Sequence, residues 1–213
     1  MQISVETQAF GVISITLSNE ARVLANFLSI LRDDQVEGLC ITDYPGERYP
    51  KALSRFSGLK SLSLVRCHRL SVLPKEILKC VALEKLSIVS CADFYDLTGI
   101  SSCRELKVLQ VRECEQMTSS VRECAEMKKL TAIDFSYCEN LVEIDWEALP
   151  ESLRILDVHK CAQLMIDEEK VNRLSLVSTR IQDYPEKVEG GEVLPDIYKS
   201  LMMSQRIDYS RDL

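Results

Sequence analysis

Five cysteines recur at a regular interval, and two of them lie close to the only histidines of the chain. Cys67 precedes His68, and Cys161 follows His159 by two positions. A cysteine beside a histidine can form a nucleophile and base pair, and the same residue types bind zinc. Neighbouring residues at a strand end point apart, however, and no C-x-x-C pair occurs. We therefore predict no catalytic residue and no metal site, and we interpret five thiols as structural: Cys67, Cys91, Cys114, Cys138 and Cys161.

The number of cysteines indicates a reducing environment. Nine cysteines leave one unpaired in any disulfide framework, and the first fifteen residues lack the basic start and apolar run of a secretory signal. We therefore expect free thiols and a cytoplasmic location. Cys40, between Leu39 and Ile41, should face outward from a strand and be the most reactive thiol. A thiol-based redox or metal sensor remains an alternative function.

Composition excludes several other classes of protein. The 213 residues carry a net charge of -7, which disfavours binding to a phosphate backbone. No apolar run is long enough to span a membrane. Glycine-rich phosphate loops and the common hydrolase motifs are absent from the sequence. We predict a non-enzymatic protein without a cofactor, and we expect it to bind neither a nucleic acid, a membrane nor a small-molecule substrate.

Internal repetition is the strongest signal in the sequence. Segments that begin at Leu59, Leu83, Leu106, Leu130 and Leu153 share the pattern L-x-x-L-x-L-x-x-C-x-x-L, at intervals of 24, 23, 24 and 23 residues. Two weaker copies flank them. One begins at Val36, and the other begins at Val171 after an interval of only 18 residues. A fixed period of this length predicts stacked structural units.

The pattern resembles the leucine-rich repeat superfamily. The cysteine at the ninth position, together with LSVLP from Leu70 and LPESLRIL from Leu149, is most similar to repeats of plant intracellular immune receptors or of bacterial leucine-rich repeat effector and interaction proteins. The resemblance implies an α/β fold. Its form is a right-handed solenoid with a parallel sheet on the concave side and short helices or irregular segments on the convex side.

Spacing within each repeat supports the same architecture. The fourth and sixth positions point to one face of a short strand, and that face is buried only when repeats stack. The return segments Pro74 to Ala82 and Ser119 to Lys129 suit short helices. The segment WEALPES suits a 3₁₀ turn or an irregular loop, with Trp146 in the core or at the convex edge. Residues 1–35 are interpreted as an N-terminal cap, 36–185 as about seven repeats, and 186–213 as a C-terminal cap with a helix over Leu194 to Met203.

The concave sheet is the predicted site of function. Its third, fifth, seventh and eighth positions should face solvent, and a rigid curved sheet offers a preformed binding surface. We predict that the chain binds a protein partner there as a recogniser, adaptor or inhibitor. A separate, enzyme-associated alternative is the substrate-selecting arm of a ubiquitin ligase assembly, whose ligase chemistry would come from another chain. The predicted partner-binding residues are Arg66, Val89, Gln110, Arg112, Glu113, Asp134, Tyr137, Asp157, His159 and Lys160.

Overall fold

The structure is a computed structural model that describes residues 3–8, 12–17, 21–120, 122–174, 178–180 and 187–188. None of the helices in these ranges is long and apolar enough to cross a membrane. The strands are β1 (Ile3–Gln8), β2 (Val12–Leu17), β3 (Gly38–Thr42), β4 (Ser61–Val65), β5 (Lys85–Val89), β6 (Val108–Arg112), β7 (Ser119–Ser120), β8 (Ala132–Asp134), β9 (Glu143–Ile144), β10 (Ile155–Asp157), β11 (Ser178–Arg180) and β12 (Lys187–Val188). Within the described residues, ten of these strands form one sheet in the order β1-β2-β3-β4-β5-β6-β8-β10-β11-β12, and β7 pairs with β9 in a second sheet.

The repeat period sets the register of the sheet. The parallel strands begin at residues 38, 61, 85, 108, 132, 155 and 178, at intervals of 23 or 24. Because each repeat has nearly the same length, equivalent residues pair: Leu62 lies opposite Leu86, and Leu86 lies opposite Leu109. The side chains at the fourth and sixth positions are buried in one continuous core, as the pattern predicts.

In the structure, the strand of the last repeat lies later in the sequence than the alignment predicted. The flanking copy that begins at Val171 predicted a strand through Leu174, but residues 168–173 form the helix α2 (Glu168–Arg173). The strand of this repeat is β11, in which Ser178 pairs with Ile155. Ser178 lies 23 residues after Ile155, so the structure keeps the ordinary period where the leucine pattern suggested an interval of 18.

The return segments contain short helices and irregular turns, as predicted. Ile77–Lys79 forms one 3₁₀ turn, in which the Cys80 amide donates to the Ile77 carbonyl and the Leu83 amide donates to the Cys80 carbonyl. Over 122–129 the chain makes turns, and β7 occupies the start of the other predicted helix. Residues three apart share one face of a 3₁₀ turn. The apolar spacing of three residues therefore buries Ile77, Cys80 and Leu83 together.

The N-terminal residues cover the first repeat. β1 and β2 form an antiparallel hairpin, and β2 pairs in parallel with β3. The helix α1 (Ala21–Ile30) buries Leu24 and Leu28 completely, and Phe27 packs against the same core. The predicted helix over 194–203 lies outside the described residues, and the predicted domain boundaries stay predictions.

Cysteine thiols join successive rungs of the solenoid. The Cys138 Sγ donates to the Val111 carbonyl at 3.2 Å, and the Cys161 Sγ donates to the Phe135 carbonyl at 3.0 Å. The Cys67, Cys91 and Cys114 thiols make the same contact with the preceding rung at 3.7 to 3.8 Å. All five are buried. A thiol can donate a weak hydrogen bond here without burying a charge.

Candidate functional site

A chain of polar side chains runs across the concave face, by which we mean the side of the sheet opposite the leucine core. The Ser87 hydroxyl donates to Gln110 Oε1 at 2.7 Å, and Gln110 Nε2 donates to Asp134 Oδ2 at 3.3 Å. Asp134 Oδ1 accepts bonds from the Ser136 amide at 3.0 Å and from its hydroxyl at 2.6 Å. These residues sit on neighbouring rungs because the strands pair in register.

Two larger side chains lie over this polar chain. The Arg112 Nε donates to the Ser136 hydroxyl at 3.0 Å and lies 3.6 Å from Asp134 Oδ2. On the next rung, His159 Nδ1 lies 2.9 Å from Asp157 Oδ1, which also accepts the His159 amide. Arg112 therefore lies over the Asp134 carboxylate, and His159 lies over the Asp157 carboxylate.

Four of the predicted contact residues are buried in the structure. Val89, Gln110, Asp134 and Asp157 are 1 to 5% exposed, although their positions predicted solvent-facing side chains. Strands in a sheet lie only about 4.8 Å apart, so the fifth-position side chains of Gln110, Asp134 and Asp157 are enclosed by their neighbours and by longer seventh-position side chains such as Arg112 and His159. Val89, at the seventh position, lies between Val65 and Arg112 on the two neighbouring strands. These four residues support the surface and do not offer contact area to a partner.

The remaining predicted residues border the open part of the face. Tyr137 is 39% exposed and Lys160 is also exposed. Arg66, Arg112, Glu113 and His159 are half-buried. The Tyr137 ring meets the His159 ring edge-on, with centroids 4.6 Å apart. Their role in binding stays a prediction.

The eighth position of each repeat has an unusual backbone conformation that sequence reasoning missed. Six non-glycine residues there have φ between 50° and 62°, a region that disfavours bulky side chains. In five of them the amide donates to a carbonyl of the next rung, as the Tyr137 amide does to the His159 carbonyl at 2.9 Å. We call these residues the edge row: Asp43, Arg66, Ser90, Glu113, Tyr137 and Lys160. Their types share no feature from which this conformation could be predicted.

Side chains of the edge row bind one another between repeats. Arg66 makes two bonds to the Asp43 carboxylate, at 2.8 and 3.0 Å. The Ser90 hydroxyl donates to Glu113 Oε2 at 2.6 Å. These contacts hold the N-terminal and central parts of the row, whereas Tyr137 and Lys160 present exposed surface farther along it.

The third position adds an apolar strip that the predicted site did not include. Val108, Ala132 and Ile155 are buried together on three successive rungs. Lys85 continues the strip, because it pairs with Val108 in the sheet. Burial lowers the pKa of Lys85 to about 8. In a fraction of the molecules the Lys85 amine is therefore neutral near physiological pH.

Burial and the neighbouring Asp157 carboxylate raise the pKa of Asp134, although Ser136 and Arg112 act in the opposite direction. The folded state therefore holds the Asp134 proton more tightly than the unfolded chain does. Consequently, this residue stabilises the fold less as the pH rises from its usual value near 3.8 through the raised pKa.

Asp134→Asn should therefore become more stable relative to wild type as the pH rises. The asparagine side chain keeps an oxygen that accepts the hydrogen bonds from Ser136, and it removes the charge repulsion with Asp157. Urea unfolding at about pH 4 and about pH 7 measures the difference in the free energy of unfolding between the two proteins. The matched control is Asp93→Asn at an exposed site, which should show no such trend. Parallel pH profiles for wild type and Asp134→Asn would contradict the raised pKa.

Cys40 differs from the other eight thiols. It is half-buried, and all the others are buried. Burial raises the pKa of Cys80, Cys103 and Cys161 to about 11. Burial likewise raises the pKa of Cys114 to about 12. Such thiols carry almost no thiolate at neutral pH.

A thiol titration of the native protein should therefore show one fast equivalent, assigned to Cys40, and nine equivalents after denaturation. Cys40→Ser should remove the fast equivalent and leave the denatured count one lower. Mass spectrometry of the modified protein identifies the reactive site. Fast modification of several thiols in the folded state is the result that contradicts this assignment and favours a redox sensor.

Comparison with known families agrees with the repeat geometry. A family model described as R13L1/DRL21 LRRs matches residues 14–91, which run from the second strand of the hairpin to the ninth position of the third repeat. The chain has the leucine-rich repeat fold, because the matched repeats continue at the same strand period through β11. No curated protein matches this leucine-rich repeat protein.

Solved structures similar to this leucine-rich repeat protein are distant. The leucine-rich repeat domain of the type III effector XopL is 16% identical, with a TM-score of 0.49, and the match covers 70% of this chain and 62% of that chain. A leucine-rich repeat protein of Leptospira interrogans is 13% identical, with a TM-score of 0.30 and coverage of 70% and 55%. An internalin, InlF, from Listeria monocytogenes is 11% identical, with a TM-score of 0.28 and coverage of 76% and 63%. The chain spans less than two thirds of the length of each.

Proposed function

We propose that this leucine-rich repeat protein binds a protein partner at the open part of its concave face, centred on Tyr137 and Lys160. Leucine-rich repeat domains generally serve as protein–protein interaction modules. The proposed role is that of a non-enzymatic recogniser, adaptor or inhibitor. The proposed setting is a reducing compartment such as the cytoplasm, which nine cysteines without a disulfide bond favour.

The observation that carries the proposal is the conformation of Tyr137. A bulky residue with φ of 61° is strained by about 1 kcal/mol or more relative to glycine. The residue is nevertheless 39% exposed, so burial of its side chain offsets only part of that strain. Tyrosine is favoured at the centre of protein interfaces because it combines apolar area with a hydroxyl.

The surroundings of Tyr137 suit such an interface. His159 orients the ring from one side through the edge-on contact, and Asp157 holds the His159 ring in place. Lys160, on the next rung of the edge row, supplies an exposed positive charge. The buried polar chain beneath them gives the surface a fixed shape, which lowers the entropy lost on binding.

Affinity capture tests the proposal with Tyr137→Ser combined with Lys160→Glu. Arg112 is left unchanged because its contact with Asp134 supports the fold. We expect the variant to fold like wild type, since exposed side chains contribute little to stability. Its capture of the partner from a native lysate should fall at least about tenfold, as expected when an aromatic interface anchor is removed.

The control variant carries Lys79→Glu with Lys128→Glu, two exposed residues of the return segments. It should capture the same protein as wild type does, and quantitative mass spectrometry compares the three samples. Undiminished capture by the concave variant, with loss in the control, would move the interface to the return segments and overturn the proposal.

A further inference from the structure

A second exposed surface lies beside the sheet, where the chain leaves each cysteine. The ninth and twelfth positions point into the core and are joined by a turn, as in the bond from the Leu141 amide to the Cys138 carbonyl at 3.0 Å. The tenth, eleventh and thirteenth positions therefore point outward. We call this surface of the third to sixth repeats the lateral ridge.

Backbone hydrogen bonds make the lateral ridge a continuous ladder over its last three repeats. The Val142 amide donates to the Thr118 carbonyl at 3.0 Å, and the Met165 amide donates to the Val142 carbonyl at 3.0 Å. β7 and β9 pair directly after these residues. Side chains bridge the loops as well, since Gln163 Nε2 donates to Asn140 Oδ1 at 2.8 Å. The ladder gives the ridge a regular spacing between repeats.

Large apolar side chains are exposed along the lateral ridge. Tyr95 is 53% exposed, Val142 is 37% exposed and Met165 is 65% exposed. Large hydrophobic residues on a surface mark interaction sites when they group together. Val142 and Met165 are in neighbouring repeats, and Tyr95 lies two repeats before Val142. At about 4.8 Å per rung, all three fall within one ordinary interface.

The charged side chains on the lateral ridge itself are acidic. Asp93, Glu115, Glu139 and Glu143 are exposed on the ridge or next to it. From the third to the sixth repeat, no lysine or arginine occupies the tenth, eleventh or thirteenth position. Such a field repels nucleic acid and anionic lipid and attracts a cationic partner.

We propose that the lateral ridge binds a basic amphipathic segment of a second protein. Its apolar side chains cover Tyr95, Val142 and Met165, while its lysines or arginines meet Glu115 and Glu139. Binding at the ridge does not depend on the proposed concave site. Together with that site, the ridge allows the chain to hold two proteins at once, as an adaptor does.

Fluorescence anisotropy with two synthetic peptides tests this proposal. The first is an 18-residue amphipathic helix of leucine and lysine, and the second replaces every lysine with glutamate. We expect the leucine–lysine peptide to bind the wild-type chain and the leucine–glutamate peptide not to bind. Tyr95→Ser with Met165→Ser should weaken binding at least about tenfold, because the apolar anchors are lost.

Charge-reversal variants distinguish binding at the ridge from nonspecific attraction of a basic peptide to an acidic protein. Glu115→Lys with Glu139→Lys should also weaken binding at least about tenfold. The matched control is Glu126→Lys with Glu151→Lys, which makes the same change in net charge at exposed residues outside the ridge. The control should bind nearly as wild type does. Equal weakening in both charge variants, no binding of the leucine–lysine peptide, or ridge-dependent self-association in sedimentation would overturn the proposal.

Discussion

Replacing Cys114 with aspartate is expected to unfold the centre of the solenoid. The Cys114 side chain is fully buried, and its Sγ faces two carbonyl oxygens, those of Arg112 at 3.3 Å and Ile88 at 3.8 Å. A carboxylate in this place meets acceptors only and has no counter-charge. An unpaired buried charge costs about 3–5 kcal/mol, which is a large part of the stability of an ordinary domain.

Cys114→Ser is the control for this substitution. A hydroxyl can donate to the same carbonyls, so we expect a loss of only about 1–2 kcal/mol in the free energy of unfolding. Urea titration followed by circular dichroism compares the two variants with wild type. If Cys114→Asp unfolds at nearly the same urea concentration as Cys114→Ser, the side chain at this position is not enclosed by the core.

Deleting residues 1–31 is expected to cause aggregation and the loss of cooperative unfolding. The deletion removes the strand that pairs with β3 and the helix that buries Leu24 and Leu28. It also removes the Ser29 carbonyl, which accepts a bond from the Arg55 guanidinium at 3.4 Å. A solenoid without an end cap exposes an apolar cross-section and an unpaired strand.

Substitutions in α1 test the same cap without truncation. Leu24→Ala and Leu28→Ala should each cost about 2–5 kcal/mol. Arg22→Ala and Asn26→Ala, at exposed positions of the same helix, should change the stability little. Calorimetry and light scattering measure these effects. A soluble deletion product with a single sharp transition is the outcome that contradicts a capping role for residues 1–31.

The repeat pattern predicted the core strands because burial there depends on alternation alone. Leu62 and Leu64, or Leu109 and Val111, point the same way in any short strand, and the period of 23 or 24 then sets their register. The return segments were harder to predict. An apolar residue at every third position fits either a 3₁₀ turn or part of an α-helix, and the short repeat length favours the tighter turn.

The concave face could be predicted only in part. Alternation places Asp134 and Asp157 on that side of the sheet, but it contains no information on how Arg112 and His159 lie over them. The positive φ of Tyr137 accompanies a hydrogen bond from its amide to the next rung. That contact arises between repeats, so a pattern read within one repeat cannot indicate it.

Amide hydrogen exchange of the chain, alone and bound to its captured partner, locates the binding surface. Binding at the concave face should slow exchange at residues 134–137 and 157–160, where Tyr137 and Lys160 border the open surface. The return segments 77–82 and 122–129 should exchange at the same rate in both samples. Protection confined to those return segments, with no change at residues 134–137 and 157–160, would contradict binding at the concave face.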